Sequence, residues 1–176
     1  MIPSAGLFCL NSGLATVEHE VIVVVENLAM MQLAATRQLP ALAQQALWVY
    51  RGDHKTGAKL KTCHDFVRRF GVDKEVIVFS DMDAKGLEIA LTTPFGKFWL
   101  GPTADAWQLL LQSRIASHSG LDKQSAAMHY LLGLLAANSL AKSLTELILL
   151  LKQERSSFRQ EYAHGQQVQL ELFKMY

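Results

Sequence analysis

The sequence predicts an α/β fold built on a mostly parallel sheet, and three observations carry that expectation. Residues Glu20 to Glu26 (EVIVVVE) and Glu75 to Ser80 (EVIVFS) are rich in β-branched residues and lack polar alternation, the mark of strands covered on both faces. Segments with apolar residues at helical spacing separate such runs, as crossovers between parallel strands require. Half of the 176 residues are hydrophobic, enough to bury the core of about one domain.

Taken in order, the first strand, Glu20 to Glu26, leads into a helix over Asn27 to Arg37 closed by Pro40, then a short strand, Ala46 to Tyr50 (ALWVY), broken by Gly52. From Thr56 to Phe70, residues Leu60, Cys63, Phe66, Val67 and Phe70 recur at helical spacing, and Gly71 stands just past the end as a C-cap. After the strand Glu75 to Ser80 come a short helix over Leu87 to Leu91, ended near Pro94, and a fourth strand over Lys97 to Leu100. Beyond Pro102 the pattern reads as wholly helical: Ala104 to Ile115, Lys123 to Ala137, and an amphipathic stretch from Ser139 to Tyr162. This divides the chain into a lead-in over 1–19, an α/β domain over 20–118 and a C-terminal helical extension over 119–176. Trp48, Trp99 and Trp107 fall on these elements among apolar neighbours and read as core.

Composition narrows the function classes. With 17 Lys and Arg against 16 Asp and Glu, the net charge of +1 supplies no global field for nucleic acid or an anionic membrane, so any basic surface is local. Cys9 and Cys63 form no CxxC pattern, which argues against a disulfide scaffold and a zinc site and fits a reducing compartment. The first residues lack a basic n-region and an apolar h-region, and the most apolar stretch, Met128 to Leu151, is interrupted by Lys142 and Glu146. A cytoplasmic protein without a membrane span is expected.

Acids close two of the predicted strands: Glu26 after VVV, and Asp81 with Asp83 in FSDMDAKG. In an open parallel sheet, ligands lie beyond the carboxyl ends of the strands, so these three carboxylates can converge in one crevice. Adjacent carboxylates repel and stay ionised together only beside a cation. Magnesium suits such oxygen donors, with manganese as a substitute, and neither motif holds the His or Cys that zinc favours. An acid at a strand end also serves as a turn or cap residue, and Asp83 is placed to cap a helix starting near Ala84, which would leave Asp81 alone for a metal. Gly86 permits close approach of a backbone or a phosphate.

Arg51 to Arg69 carries six cations (Arg51, Lys55, Lys59, Lys61, Arg68, Arg69) against Asp53 and Asp65, the local excess a DNA backbone requires beside a metal site. A solvated helix face is the alternative reading of the same residues. Asp53 can add a carboxylate, although Gly-Asp more often serves a turn. The stretch Gly52 to Lys59 only approximates a phosphate-binding loop, because its Lys is one place late and no Ser or Thr follows.

Glu26 in VVVEN, with Asp81 and Asp83 in SDMDAKG, resembles the Toprim domain shared by topoisomerases, primases and related nucleases. The elements ENL, VYRGDHKTG and FSDMDAKGLEIAL are similar to one branch of it, the JetD and MksG nuclease subunits of Wadjet-type plasmid defence, which are similar in turn to the A subunit of topoisomerase VI. The resemblance covers about residues 20 to 116. It implies a Rossmann-like Toprim sheet flanked by helices and Mg-dependent cleavage of DNA in defence against plasmids, beside an SMC-type condensin-like complex. Glu26 would be the general acid/base or a metal ligand, and Asp81 and Asp83 would hold Mg²⁺. Arg51, Lys55, Lys59 and Lys85 would meet the DNA, and Glu161, in Gln160-Glu161, would match a Gln-Glu pair that the branch carries in a late helix. That branch places a winged-helix region before the Toprim domain, so the chain would be the C-terminal part of a longer protein or a minimal member. Two rival classes share these acids: a non-catalytic module that binds DNA or a partner, and an RNA-processing or primase-type enzyme. None of Tyr50, Tyr130, Tyr162 or Tyr176 has the context of a strand-passing nucleophile. The tail from Ser139 to Tyr162 offers a homodimer or partner surface, or packs on its own sheet.

Overall fold

A computed structural model describes residues 16–33, 39–53, 57–112, 121–154, 158, 160, 165 and 167–176. The chain runs β1 (Val21–Val25), α1 (Leu28–Leu33), α2 (Ala41–Gln44), β2 (Leu47–Tyr50), α3 (Leu60–Phe70), β3 (Glu75–Phe79), α4 (Ala84–Thr92) and β4 (Gly96–Pro102). It continues through α5 (Ala104–Gln112), α6 (Leu121–Ala136), α7 (Lys142–Glu154) and β5 (Leu170–Lys174). The strands form one sheet in the order β2-β1-β3-β4-β5. The pairs β1–β2, β1–β3 and β3–β4 are parallel, and β4–β5 is antiparallel. The expected mostly parallel α/β fold is present.

β1 holds the centre because its side chains need no water: all five are buried, and Ile22 to Val25 are fully so. Full burial of each contributes about 1.5–3 kcal/mol. Alternation splits them between two faces. Ile22, Val24 and Val76 pack with Cys63, Phe66 and Val67 of α3, whereas Val21, Val23 and Val25 join Met30 of α1, Ala43 of α2 and most of the remaining core. Helices therefore cover both faces. Burial also pushes the Cys63 thiol up to about 12, so this cysteine is an inert core residue.

Several elements depart from their expected bounds. Described helix follows Asn27 for Leu28–Leu33, with the Asn27 carboxamide accepting from Ala29 N at 2.9 Å, and residues 34–38 lie outside the described set. α2, which the sequence reading lacked, begins behind Pro40. α3 starts at Leu60 and not Thr56, while Gly71 caps it as expected, its N–H donating to Val67 O at 2.8 Å. α4 is longer than Leu87 to Leu91 because Asp83 caps it.

The largest departure lies at the end of the chain. The segment after Pro102 is not wholly helical: β5 pairs antiparallel with β4 from Phe98↔Lys174 to Pro102↔Leu170. The helix expected to reach Tyr162 is described only to Glu154, and Phe158 instead pairs as an isolated antiparallel bridge with Met82. Phe158 is buried and packs edge-on against Trp107 at 5.8 Å between ring centres. Gln160 and Gly165 are again helical, so the described residues show a break at Phe158. Trp99 and Trp107 are buried as expected, and Trp48 is partly so. Residues 1–15 of the lead-in, with Cys9, lie outside the described residues.

Candidate active site

Glu26 and the Asp81–Asp83 loop leave adjacent strands. The N–H of Glu26 donates to Phe79 O at 2.9 Å, continuing the β1–β3 ladder one step past β1. That step brings the Glu26 side chain onto the next loop: its Oε2 accepts from the N–H of Asp81 at 3.0 Å. The two acidic motifs thus touch through the Glu26 carboxylate and the Asp81 backbone N–H, which is a contact of one carboxylate with a loop and not of three carboxylates with one another.

The loop is held by groups from every side. Asp83, almost fully buried, caps α4 through Oδ1, which accepts from Gly86 N at 2.8 Å. The capping role foreseen for it is therefore in place, and Asp83→Ala would remove a cap as well as a charge. Its Oδ2 accepts from Gln124 Nε2 at 2.7 Å, and Gln124 Oε1 accepts from the N–H of Lys85 at 2.8 Å. Asp81 Oδ1 accepts from the backbone N–H of Gln160 at 3.0 Å, and Met82 exchanges two backbone bonds with Phe158, at 2.8 and 3.2 Å. Ser80 donates to Gly86 O at 2.7 Å and accepts from the Trp99 indole at 3.0 Å.

Gly86 explains how the loop closes so tightly. A Cβ there would lie 1.9 Å from the backbone oxygen of Asp81, so only glycine admits this approach. Of the two uses foreseen for a small residue here, the structure exhibits the backbone one.

Burial raises the Glu26 carboxyl above its usual range; the Asp81 N–H bond and the charges of Arg51 and Lys85 work against that, and Asp83 adds to it. Burial likewise raises Asp83, opposed by its bonds from Gly86 and Gln124 and by Lys85. Burial thus disfavours the charged form of both carboxyls. Arg51 and Lys85 stand within electrostatic reach of Glu26. The N–H of Arg51 donates to Val25 O at 2.8 Å, which places it one strand over from Glu26, and Lys85 pairs with Glu88 at 2.6 Å.

Glu26, Asp81, Asp83, Arg51 and Lys85 are therefore gathered at one end of the sheet. Lys59 is exposed, immediately before α3. Asp53 is exposed in the loop after β2, its N–H donating to Ala58 O at 2.9 Å, and Gly52 beside it has φ +91°. This is the turn foreseen for Gly-Asp. Lys55 and Glu161 lie outside the described residues. Gln160 meets the site through its backbone. Among the described residues, no group of three or more His, Cys, Asp or Glu side chains is arranged to hold a metal ion. Gln124 had no signal in the sequence, since a glutamine near a helix start reads as solvated surface. No described helix is long and apolar enough to cross a membrane.

The family described as Domain of unknown function (DUF7281) matches residues 2–172 of the chain. No curated protein and no solved structure matches it.

Proposed function

We propose that this chain, which belongs to the DUF7281 family, is a Toprim-like nuclease that cleaves DNA phosphodiester bonds with Mg²⁺ or Mn²⁺. One observation carries the reading: the carboxylate closing β1 reaches the acidic loop after β3, with Glu26 Oε2 on the N–H of Asp81 at 3.0 Å. Acids from two adjacent parallel strands meet where open sheets bind ligands. The donor chemistry fits a hard divalent cation. Glu26, Asp81 and Asp83 offer carboxylate oxygens, and a cation would offset the desolvation that raises Glu26 and Asp83. When bound, such an ion polarises a phosphate and stabilises the attacking or leaving oxygen.

The chain's own residues supply the remainder. Glu26, whose carboxyl burial raises above its usual range, suits proton transfer to or from an oxygen at the scissile phosphate. Arg51 and Lys85 offer positive charge beside the acids, and Lys59 is exposed immediately before α3. Defence against plasmids beside an SMC-type complex is the setting this reading implies, and an RNA-processing or primase-type enzyme is the rival class that shares the same acids.

A second reading has its own observation. Both Asp83 oxygens accept hydrogen bonds from within the chain, from Gly86 and from Gln124, as in a site retained for binding without cutting. Incubating supercoiled plasmid with the purified chain in Mg²⁺, Mn²⁺ or EDTA separates the two. Metal-dependent nicking that Asp81→Ala abolishes is the expected result. DNA binding without nicking by the wild type, in either metal, would favour the binding module.

A further inference from the structure

Gln124 sits in the first turns of α6, and its carboxamide makes two hydrogen bonds of opposite polarity to one turn of α4. Nε2 donates to Asp83 Oδ2 at 2.7 Å, while Oε1 accepts from Lys85 N at 2.8 Å. The two partners fix the amide in one sense: rotated by half a turn, its oxygen would meet a carboxylate and its NH₂ an N–H. The seat is set by helix packing, because Ala127 and Leu131, further along α6, are buried in the same core as Leu87 and Ala90 of α4. Of the α4 amides that lack an intrahelical acceptor, Gly86 is satisfied by Asp83 and Lys85 by Gln124. Asp83 is thereby held at both oxygens, and a carboxylate anchored at both has lost its rotation about the Cβ–Cγ bond. Each oxygen still has a second lone pair.

We propose that Gln124 is a positioning residue: it fixes the orientation of the Asp83 carboxylate, and so makes the acidic site depend on the seating of α6 against α4. The link to cation binding rests on the reading of Asp83 as a metal ligand given above. Hydrogen-bond partners of ligating carboxylates behave in this way, and their loss typically costs 10–100-fold in metal affinity.

The test uses the full chain, Mn²⁺ as the probe and Gln124→Met, which keeps length and removes both hydrogen bonds. Mn²⁺ binding followed by electron paramagnetic resonance should weaken by about 10–100-fold. Amide exchange at Lys85 and Gly86 should quicken by about tenfold, as loss of a hydrogen bond of ordinary strength implies. Exchange at Leu131 should stay unchanged, as should both properties in Ser125→Ala, an exposed neighbour. Faster exchange with unchanged or tighter Mn²⁺ binding would overturn the link to the cation site, leaving Gln124 as a mere helix bridge. If the wild type takes up no Mn²⁺, the metal reading of the site fails, and exchange alone decides the positioning role: unchanged rates at Lys85 and Gly86 would overturn it. Should Gln124→Met fail to fold, Gln124→Asn, with the same amide one methylene shorter, is measured in its place with the same expectations.

Discussion

Helices line both faces of the sheet, α3 on one and α4 on the other, and these two rims hold their polar groups in different ways. On the α3 rim, charges meet as exposed ion pairs: Asp65 bonds to Lys61 and to Arg68, and the Lys61 hydrogen bond chiefly holds its carboxyl below the usual range. Pairs of this kind contribute little, because water and salt screen them and holding two long side chains in one geometry costs entropy. On the α4 rim, Ser80, Asp83, Lys85, Gly86, Trp99 and Gln124 form a chain of hydrogen bonds among largely buried groups. The bonds of Ser80 to Gly86 and Trp99 and of Asp83 to Gly86 are buried and substitute for water that cannot enter, so these are costly to break. The contrast separates two tasks. One rim can rearrange around a charged partner, and the other holds fixed geometry.

The sharpest way to break the fixed rim is Gly86→Ala. In a helix this exchange ordinarily stabilises by up to about 1 kcal/mol. Here the new methyl would stand 1.9 Å from Asp81 O, and because that atom is backbone the whole loop must move. Overpacking of this sort costs typically about 1–3 kcal/mol, and more where backbone must shift. Gly133 of α6 is the internal control, since a Cβ there meets nothing within 4 Å. Denaturant midpoints should therefore move in opposite directions, down for Gly86→Ala and up for Gly133→Ala. Equal shifts would show that the Asp81–Gly86 contact is not tight in solution.

The same contrast explains what could be read in the sequence. β1 and β3 were legible because a buried parallel strand has a single compositional signature, and the acids closing them were legible because they follow it directly. The Asp83 cap was also readable, from a short acid before Ala84. β5 had a signal that went unread: Val168, Leu170 and Leu172 alternate with polar residues in VQLEL, the pattern of a half-buried edge strand, but it follows a long helical stretch. Gln124 and the backbone of Gln160 were not legible by any local rule. Their roles arise from the packing of α6 on α4 and from the path of the chain through Phe158, and neither depends on a spacing that periodicity records.

Glu26 lies between the rims, and its titration sharpens the comparison with an effect smaller than that of Gly86→Ala. Because burial raises its carboxyl, the folded state binds the proton more readily than the unfolded chain, and stability falls as pH rises from the ordinary carboxylate value through the raised one. Glu26→Gln keeps an oxygen for the Asp81 N–H and removes the charge. The variant should be more stable than the wild type at pH 7, and the difference should vanish as pH falls below the ordinary carboxylate range. Under the proposed function, millimolar Mg²⁺ reverses the order at pH 7, because the cation stabilises only the ionised wild type. Thermal midpoints at pH 7 and pH 3.5, with Mg²⁺ or EDTA at the higher pH, test both parts. A difference that persists unchanged at low pH would show that packing, and not charge, separates the two proteins.

The smallest stability effect belongs to the α3 rim, and it carries the most information about a partner. Arg68→Ala removes one exposed ion pair, and Lys59→Ala removes a charge at a position where no side-chain cap bond is made. Each should leave the denaturant midpoint close to that of the wild type. A rim that serves a DNA backbone must nevertheless lose affinity when neutralised, and must lose it in a particular form. The slope of log affinity against log salt should flatten by about one for each phosphate contact removed, evenly across sequences. Measuring that slope for the wild type, Lys59→Ala and Arg68→Ala at several salt concentrations separates a binding rim from a solvated helix face. Identical slopes in all three would assign these cations to solvation alone and leave Arg51 and Lys85, within electrostatic reach of Glu26, as the positive charge available to a phosphate.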